Sequence, residues 1–227
     1  MIVWLASYPR SGNTMLRAML RQAFGANSYS MYDDPTDIGM MPEVGEKVGH
    51  RNLDTSFREF YFRELNTAKP TFVKTHDVPG DASRAIYVLR DGRSAVVSWY
   101  NMLTRAKKRD DVTIEDVITG HNVPFANWSA HVRAWNPRHN PLVLLLYYRD
   151  LVSQPEAAMK RVAEFVGQPQ VAPWRDNFAE LNRLYPEFFA SGSDERNIAQ
   201  MTPAQSALFW QTHGDTMRDY SFGSERG

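Results

Sequence analysis

The sequence contains no cysteine among its 227 residues. Disulfides, thiolate metal sites and a thiol nucleophile are therefore excluded, and a reducing compartment, the cytoplasm, is the expected location. A long apolar run is also missing. The N-terminal stretch has about six apolar residues and no basic leader, against the ~20 needed to cross a bilayer, so a mature soluble chain with no membrane span is expected. Nor is there an excess of either charge: 26 basic residues offset 26 acidic ones. No overall field draws such a chain to nucleic acid or anionic lipid, so no nucleic-acid partner is expected and any anion site has to be built locally. Internal repeats, low-complexity segments and shifts in composition are absent too. Residues 1–227 are thus expected to form one domain, and 43% hydrophobic residues suffice for its core. No heptad run speaks for a coiled-coil partner, which leaves the oligomeric state open.

Four short apolar segments have the character of buried strands: Ile2 to Ser7, Thr71 to Thr75, Ala85 to Leu89 and Leu142 to Tyr148. Helical patterns lie between them, at Asn13 to Phe24, Thr55 to Leu65, Arg93 to Arg105 and Trp128 to Trp135. This alternation predicts an α/β fold, a single domain with a parallel β-sheet flanked by helices. Beyond the last strand the chain is predicted to be helical, with Ser153 as an N-cap before Pro155 and a capping box over Thr202-Pro203-Ala204-Gln205. Tyr29 to Gly49 has the Gly, Pro, Asp and Met content of a long loop that carries substrate contacts.

Tyr8-Pro9-Arg10-Ser11-Gly12-Asn13-Thr14 joins the first strand directly to a helix. Such a turn aims unpaired backbone N–H groups at one point, where the helix dipole favours a phosphate or sulfate. Arg10 adds a cationic fork, Gly12 admits a close approach to the backbone, and Ser11, Asn13 and Thr14 add polar groups. An ordinary capped strand-to-helix turn has the same local form. A Walker A loop, G-x-x-x-x-G-K-[ST], is absent. IYVLRDGRSAVVSWY repeats the architecture: Arg90 ends a strand, and Ser94 and Ser98 follow one turn apart on a helix. In open parallel sheets ligands bind beyond the carboxyl ends of the strands, so Arg10 and Arg90 are expected to face one crevice. Pairing of Arg90 with Asp91 or another carboxylate is the competing reading. In FVKTHDVPG, Lys74 and His76 alternate at the end of a third strand. His76 is the general-base candidate among six histidines, with Lys74 placed to offset charge on a transferred group.

Taken together, these stretches resemble the sulfotransferases that use 3′-phosphoadenosine-5′-phosphosulfate. The family forms YPKSGTTW, K-T-H and R-N-P-K-D-x-x-x-S-Y-Y correspond here to YPRSGNTM, KTH and RDGRSAVVSWY, in the same order. The similarity continues through GHNVPFANWSAHVRAWNP and VLLLYYRDLVSQPEAAMKRVAEFVG. It implies a P-loop NTPase-like sulfotransferase fold with a helical C-terminal part, and a metal-free transfer of a sulfuryl group from the phosphosulfate donor to an acceptor hydroxyl. By position it assigns Arg10, Ser11, Gly12, Asn13 and Thr14 to the 5′-phosphosulfate and Arg90 with Ser98 to the 3′-phosphate. His76 becomes the base, Lys74 lies beside the transferring group, and Tyr148 and Phe178 contact adenine.

Three departures bear on that assignment. Arg10 replaces the usual loop lysine and keeps the charge but holds its proton. Met15 replaces a tryptophan that stacks on adenine. The late R-K-G-x-x-G motif falls on Ala190-Ser191-Gly192-Ser193-Asp194-Glu195, which lacks both cations, with Arg183 and Arg196 as the candidate replacements. An ATP-dependent P-loop-like phosphotransferase and a non-catalytic nucleotide-binding module are the rival readings. The acceptor is expected to be a small molecule, with a saccharide, lipid or peptide hydroxyl also admissible. Lys107-Lys108-Arg109 is read as a solvated loop, Trp128, His131 and Trp135 as core or flank, and one or more of Phe57, Phe60 and Tyr61 as a wall of the acceptor pocket.

Overall fold

The computed structural model describes residues 1–32, 40–176, 178–184 and 194–223. Among them, five parallel strands form one sheet in the order β2-β3-β1-β4-β5: β1 Ile2–Ser7, β2 Ser28–Ser30, β3 Thr71–Thr75, β4 Arg84–Leu89 and β5 Val143–Tyr147. The central strand β1 is buried along its whole length. Its side chains alternate between two cores, as the period of two demands. Ile2, Trp4 and Ala6 join Phe60, Val96, Trp128 and Phe209 on one face, while Val3 and Leu5 meet Leu16, Met19, Met159 and Val162 on the other. Covering of both faces explains why β1 and β4 are almost wholly apolar.

Helix α1 (Asn13–Phe24) leaves β1 and packs on the second face together with α8 (Pro155–Val166). Helix α4 (Gly92–Asn101) leaves β4 and packs on the first, with α6 (Trp128–Trp135) and α11 (Pro203–Asp219). The chain thus runs from β1 toward one sheet edge and from β4 toward the other. Adjacent strands whose helices depart to opposite faces open a crevice at their carboxyl ends, and the β1 and β4 turns lie there.

The expected strands and the helices at Asn13–Phe24 and Trp128–Trp135 stand where the pattern put them, except that β4 starts at Arg84, β5 covers Val143–Tyr147 and Tyr148 opens a helix, Tyr148–Ser153. The segment from Tyr29 to Gly49 is not wholly a loop: it contains part of the edge strand β2 and the short helix α2 (Pro42–Lys47). Three residues of Ser-Tyr-Ser carry no readable alternation, which is why β2 escapes the sequence pattern. The helix at Thr55 to Leu65 begins later, as α3 (Phe57–Leu65) with a Ser56–Glu59 capping box. Ser153 is not the cap of α8; Gln154 precedes Pro155 there without a side-chain bond, and the Ser153 hydroxyl donates to the Arg149 carbonyl oxygen at 2.8 Å. The box over Thr202 and Gln205 is present at α11. The α4 pattern continues as one π-helical turn over Met102–Ala106. The solvated reading of the following loop agrees with the exposed Arg109–Asp111 pair at 2.6 Å.

Two histidines are built into the first core. His131 on α6 is 2.8 Å from the Tyr87 hydroxyl. His213 on α11 is held at both nitrogens: Nε2–H donates to the Ile118 carbonyl oxygen at 2.9 Å, so Nδ1 accepts from Ser129 at 2.8 Å. Burial lowers the pKa of each from 6.5 to about 4. As pH falls below 6.5 the unfolded chain therefore takes up protons that the native state refuses. The stability these two residues contribute is complete above pH 6.5 and is lost progressively toward pH 4. Urea midpoints are expected to fall across that window, and a flat profile would contradict the neutral burial of both rings.

Candidate active site

The β1 turn is shaped by two left-handed residues, Arg10 at φ 64° and Gly12 at φ 105°. Left-handed positions between ordinary ones curl successive N–H groups toward one point. Ser11 N–H closes the turn onto the Tyr8 carbonyl oxygen at 3.2 Å, and the α1 ladder starts with Leu16 N–H on the Gly12 carbonyl oxygen at 3.0 Å. The N–H groups of Asn13, Thr14 and Met15 precede that ladder, and Gly12 caps the helix without a side-chain bond. Ser11 is buried and its hydroxyl oxygen has no hydrogen-bond partner among the described residues. A buried hydroxyl without a partner is costly unless something arrives to bond it.

Asn13 behaves differently from its neighbours. Its amide donates back to the Leu5 carbonyl oxygen at 2.7 Å and lies 3.4 Å from the Ser7 hydroxyl, so a ligand meets this residue through its backbone N–H. Gly12 is also used otherwise than a close ligand approach would need. A Cβ there would lie 2.6 Å from Tyr148 Cδ2, so the glycine makes room for the Tyr148 ring as well as for its own positive φ.

Arg10 is half-buried and donates from Nε to the Ser98 hydroxyl at 3.2 Å. Burial first, then the nearby Arg90 charge, lower its pKa to about 10, which leaves it a cation at neutral pH. Arg90 is 6% exposed and donates from Nη1 to the Arg10 carbonyl oxygen at 3.0 Å. Its guanidinium stacks on Tyr148, 4.5 Å from the ring centre. The carboxylate on Arg90 is not Asp91. Asp91 caps α4 and pairs with Arg93 at 2.7 Å, whereas Arg90 Nε donates to Asp194 at 2.7 Å.

His76 follows β3, the other neighbour of β1. Its Nδ1 is 2.8 Å from the Ser7 carbonyl oxygen, which can only accept, so the neutral ring carries its proton on Nδ1 and its lone pair on Nε2. The turn around it is held from two sides. His76 N–H donates to the Tyr32 hydroxyl at 2.6 Å, that hydroxyl donates to Asp77 at 3.2 Å, and Trp135 Nε1–H donates to the Asp77 carbonyl oxygen at 2.9 Å. The rings of Tyr32 and His76 lie nearly parallel, and the Phe125 ring approaches His76 edge-on at 5.7 Å between centres. Lys74 Nζ is 5.9 Å from the centre of the Tyr32 ring.

Tyr32, Phe125 and Asp194 are the residues that sequence reasoning missed. Tyr32 follows the three-residue β2, Phe125 lies in the GHNVPFANW stretch, and Asp194 falls where cations were expected; the segments stood out, but no pattern singled out these residues within them. Phe57 and Tyr61 pack around Trp4, with Tyr61 bonded to Asp81 at 2.5 Å, and Phe60 is fully buried. The aromatic surroundings of His76 are supplied by Tyr32 and Phe125 instead. Phe178 opens helix α9 (Phe178–Leu184), and its side chain lies outside the described residues, as do Ala190 to Ser193. Among the described residues no three of His, Asp or Glu gather as a metal site.

A family model described as "Sulfotransferase domain" matches residues 2–220. Curated relatives include Sulfotransferase 1A1 of Rattus norvegicus, 26% identical over 172 residues that cover 72% of this chain and 59% of the relative. Another is the flavonol sulfotransferase-like protein of Flaveria bidentis, 28% identical over 184 residues covering 74% and 57%. The matches span less than two thirds of the length of these relatives. Among solved structures, mouse sulfotransferase SULT7A1 complexed with PAP gives a TM-score of 0.66 at 18% identity, covering 96% of this chain and 87% of that one. Retinol dehydratase in complex with androsterone and PAP gives 0.65 at 17%, covering 96% and 81%. At these identities the structures show a shared fold.

The fit of Gly12 against Tyr148 is open to a direct test. Gly12→Ala is expected to destabilise the protein by about 1–3 kcal/mol, since it adds a left-handed strain and a steric overlap. Adding Tyr148→Ala should recover the steric part alone, a coupling that urea unfolding of the four proteins in the cycle would measure. Unchanged stability in Gly12→Ala would contradict the packing.

Proposed function

The chain belongs to the sulfotransferase-domain family, and on that premise we propose that it transfers a sulfuryl group from 3′-phosphoadenosine-5′-phosphosulfate to the hydroxyl group of a small acceptor. One observation supports the reading: His76 is fixed by Ser7 with its lone pair on Nε2, and the next strand carries the turn that opens α1. A base without an anion site, or an anion site without a base, would fit a binding module as well. The comparisons with sulfotransferases do not favour the ATP-dependent phosphotransferase.

The bound donor supplies an activated sulfuryl group with an adenosine 3′,5′-bisphosphate leaving group. Arg10, the Ser11 hydroxyl and the backbone N–H groups of Asn13 and Thr14 would hold its 5′ end; the Ser11 hydroxyl, without a partner among the described residues, and the N–H groups ahead of the α1 ladder fit an anion there. Arg90 and Ser98 are assigned to the 3′-phosphate, and Tyr148 and Phe178 to adenine. His76 Nε2 takes the acceptor's hydroxyl proton as its oxygen bonds to sulfur and the bond from sulfur to the phosphate oxygen breaks. Lys74 and Arg10 offset the charge that spreads over the peripheral and leaving oxygens. No metal is assigned a role.

Tyr32 and Phe125 beside His76 present aromatic surface to whatever delivers the hydroxyl, which suits a small, largely apolar molecule more than an extended saccharide. Retinol dehydratase, which shares this fold, is seen in complexes with androsterone and with retinol, and that supports an acceptor of this kind. We further infer a soluble cytoplasmic setting for one domain over residues 1–227; no helix among the described residues is long and apolar enough to cross a membrane.

The test is bisphosphate release from the phosphosulfate donor with a panel of phenols, sterols and sugars. His76→Ala should lower turnover roughly a hundredfold to ten-thousandfold, as loss of a general base does, while affinity for adenosine 3′,5′-bisphosphate holds within about twofold. Unchanged turnover would remove His76 from the mechanism.

A further inference from the structure

The residue that occupies Arg90 is an acid, and it stands where the resemblance leads one to expect cations. Asp194 begins the short helix α10 (Asp194–Ile198) and reaches Nε of Arg90 at 2.7 Å, on a guanidinium that is only 6% exposed. The placement is anchored one turn further on, where Asn197 Nδ2 donates to the Ser94 hydroxyl on α4 at 2.9 Å. The carboxylate is therefore presented to Arg90 by a helix fastened to α4, unlike a surface side chain that happens to meet a charge. Arg90 is further engaged by the Arg10 carbonyl oxygen and by the face of Tyr148.

The charges explain why an acid is tolerated there. Arg10 and Arg90 sit close enough that the charge of Arg90 lowers the pKa of Arg10. Without a ligand, two enclosed like charges need a counter-charge, and Asp194 supplies one. A phosphate dianion would serve the same need with more charge and more acceptor oxygens. Carboxylate and phosphate are thus alternative occupants of one cation.

We propose that Asp194 is a specificity-determining residue of the donor site, a resident anion that competes with the 3′-phosphate for Arg90 and is displaced from Nε when the nucleotide binds. The proposal rests on the assignment of Arg90 to the 3′-phosphate. Asp194 weakens the hold on nucleotides that carry this phosphate and leaves nucleotides without it almost untouched. It therefore narrows the preference for the bisphosphate and favours its release after transfer.

Calorimetric titration with adenosine 3′,5′-bisphosphate and with adenosine 5′-phosphate tests this in the wild type, Asp194→Asn and Asp194→Ala. Asparagine keeps a hydrogen-bond acceptor and removes the charge; alanine removes both. Relief from a charged competitor at a hydrogen-bonded cation is expected to tighten bisphosphate binding about threefold to tenfold in both variants. Binding of the 5′-monophosphate should change by less than about twofold on the same reasoning. A ratio of the two affinities that stays constant would overturn the proposal. So would weaker bisphosphate binding in the variants, which would make Asp194 a support for Arg90. If none of the three proteins binds the bisphosphate, the functional reading falls and the inference with it, whereas wild-type binding with an unchanged ratio removes the inference alone.

Discussion

The site depends on the position of β1 between β3 and β4, and on two hydrogen bonds that tie its turn to theirs. The Ser7 carbonyl oxygen receives His76 Nδ1–H from the β3 side, and the Arg10 carbonyl oxygen receives Arg90 Nη1–H from the β4 side. Both acceptors are backbone atoms, one at the end of the buried strand β1 and the other in the turn that follows it. The same bonds that assemble the site also set its chemistry. One fixes the histidine tautomer, and the other holds two arginines together against their repulsion.

Repulsion of that kind has to be balanced in the ligand-free protein. Desolvation and Arg90 lower the pKa of Arg10, yet a value of about 10 leaves it charged at neutral pH. Asp194 compensates on the Arg90 side, and the Arg10 guanidinium rests on the Ser98 hydroxyl. The Ser11 hydroxyl, without a partner among the described residues, marks the point where compensation is incomplete. A preorganised anion site has this character: donors fixed in advance, with part of their hydrogen-bonding capacity left for the ligand.

The sheet and the two strand-to-helix turns are legible because their signals are local. Apolar runs bounded by Gly, Pro and Asp mark β1 and β4, and a polar turn running straight into a helical pattern marks the start of α1. The turn from Tyr8 to Thr14 and the strand-end places of Lys74, His76 and Arg90 can be read for that reason. The surroundings of His76 could not. Tyr32 reaches it from just beyond a three-residue strand, Phe125 from a loop and Trp135 from α6, and such meetings depend on tertiary packing that no spacing encodes. The role of Asn13 was hidden similarly: an amide in a polar turn looks like a ligand contact, but a backbone carbonyl oxygen at Leu5 takes it first. Asp194 was visible only as the absence of expected cations, and its partner became apparent when the chain brought α10 onto α4.

We propose that the β1 and β4 turns form one site for a nucleotide with two separated anionic groups. Calorimetric titration with adenosine 3′,5′-bisphosphate, with and without magnesium and with ATP as the competitor ligand, tests it most directly in the wild type and in Arg10→Ala. The account predicts metal-independent binding of the bisphosphate that is strongly weakened in the variant. Binding of magnesium-ATP in preference to the bisphosphate, or equal bisphosphate affinity in both proteins, would contradict it.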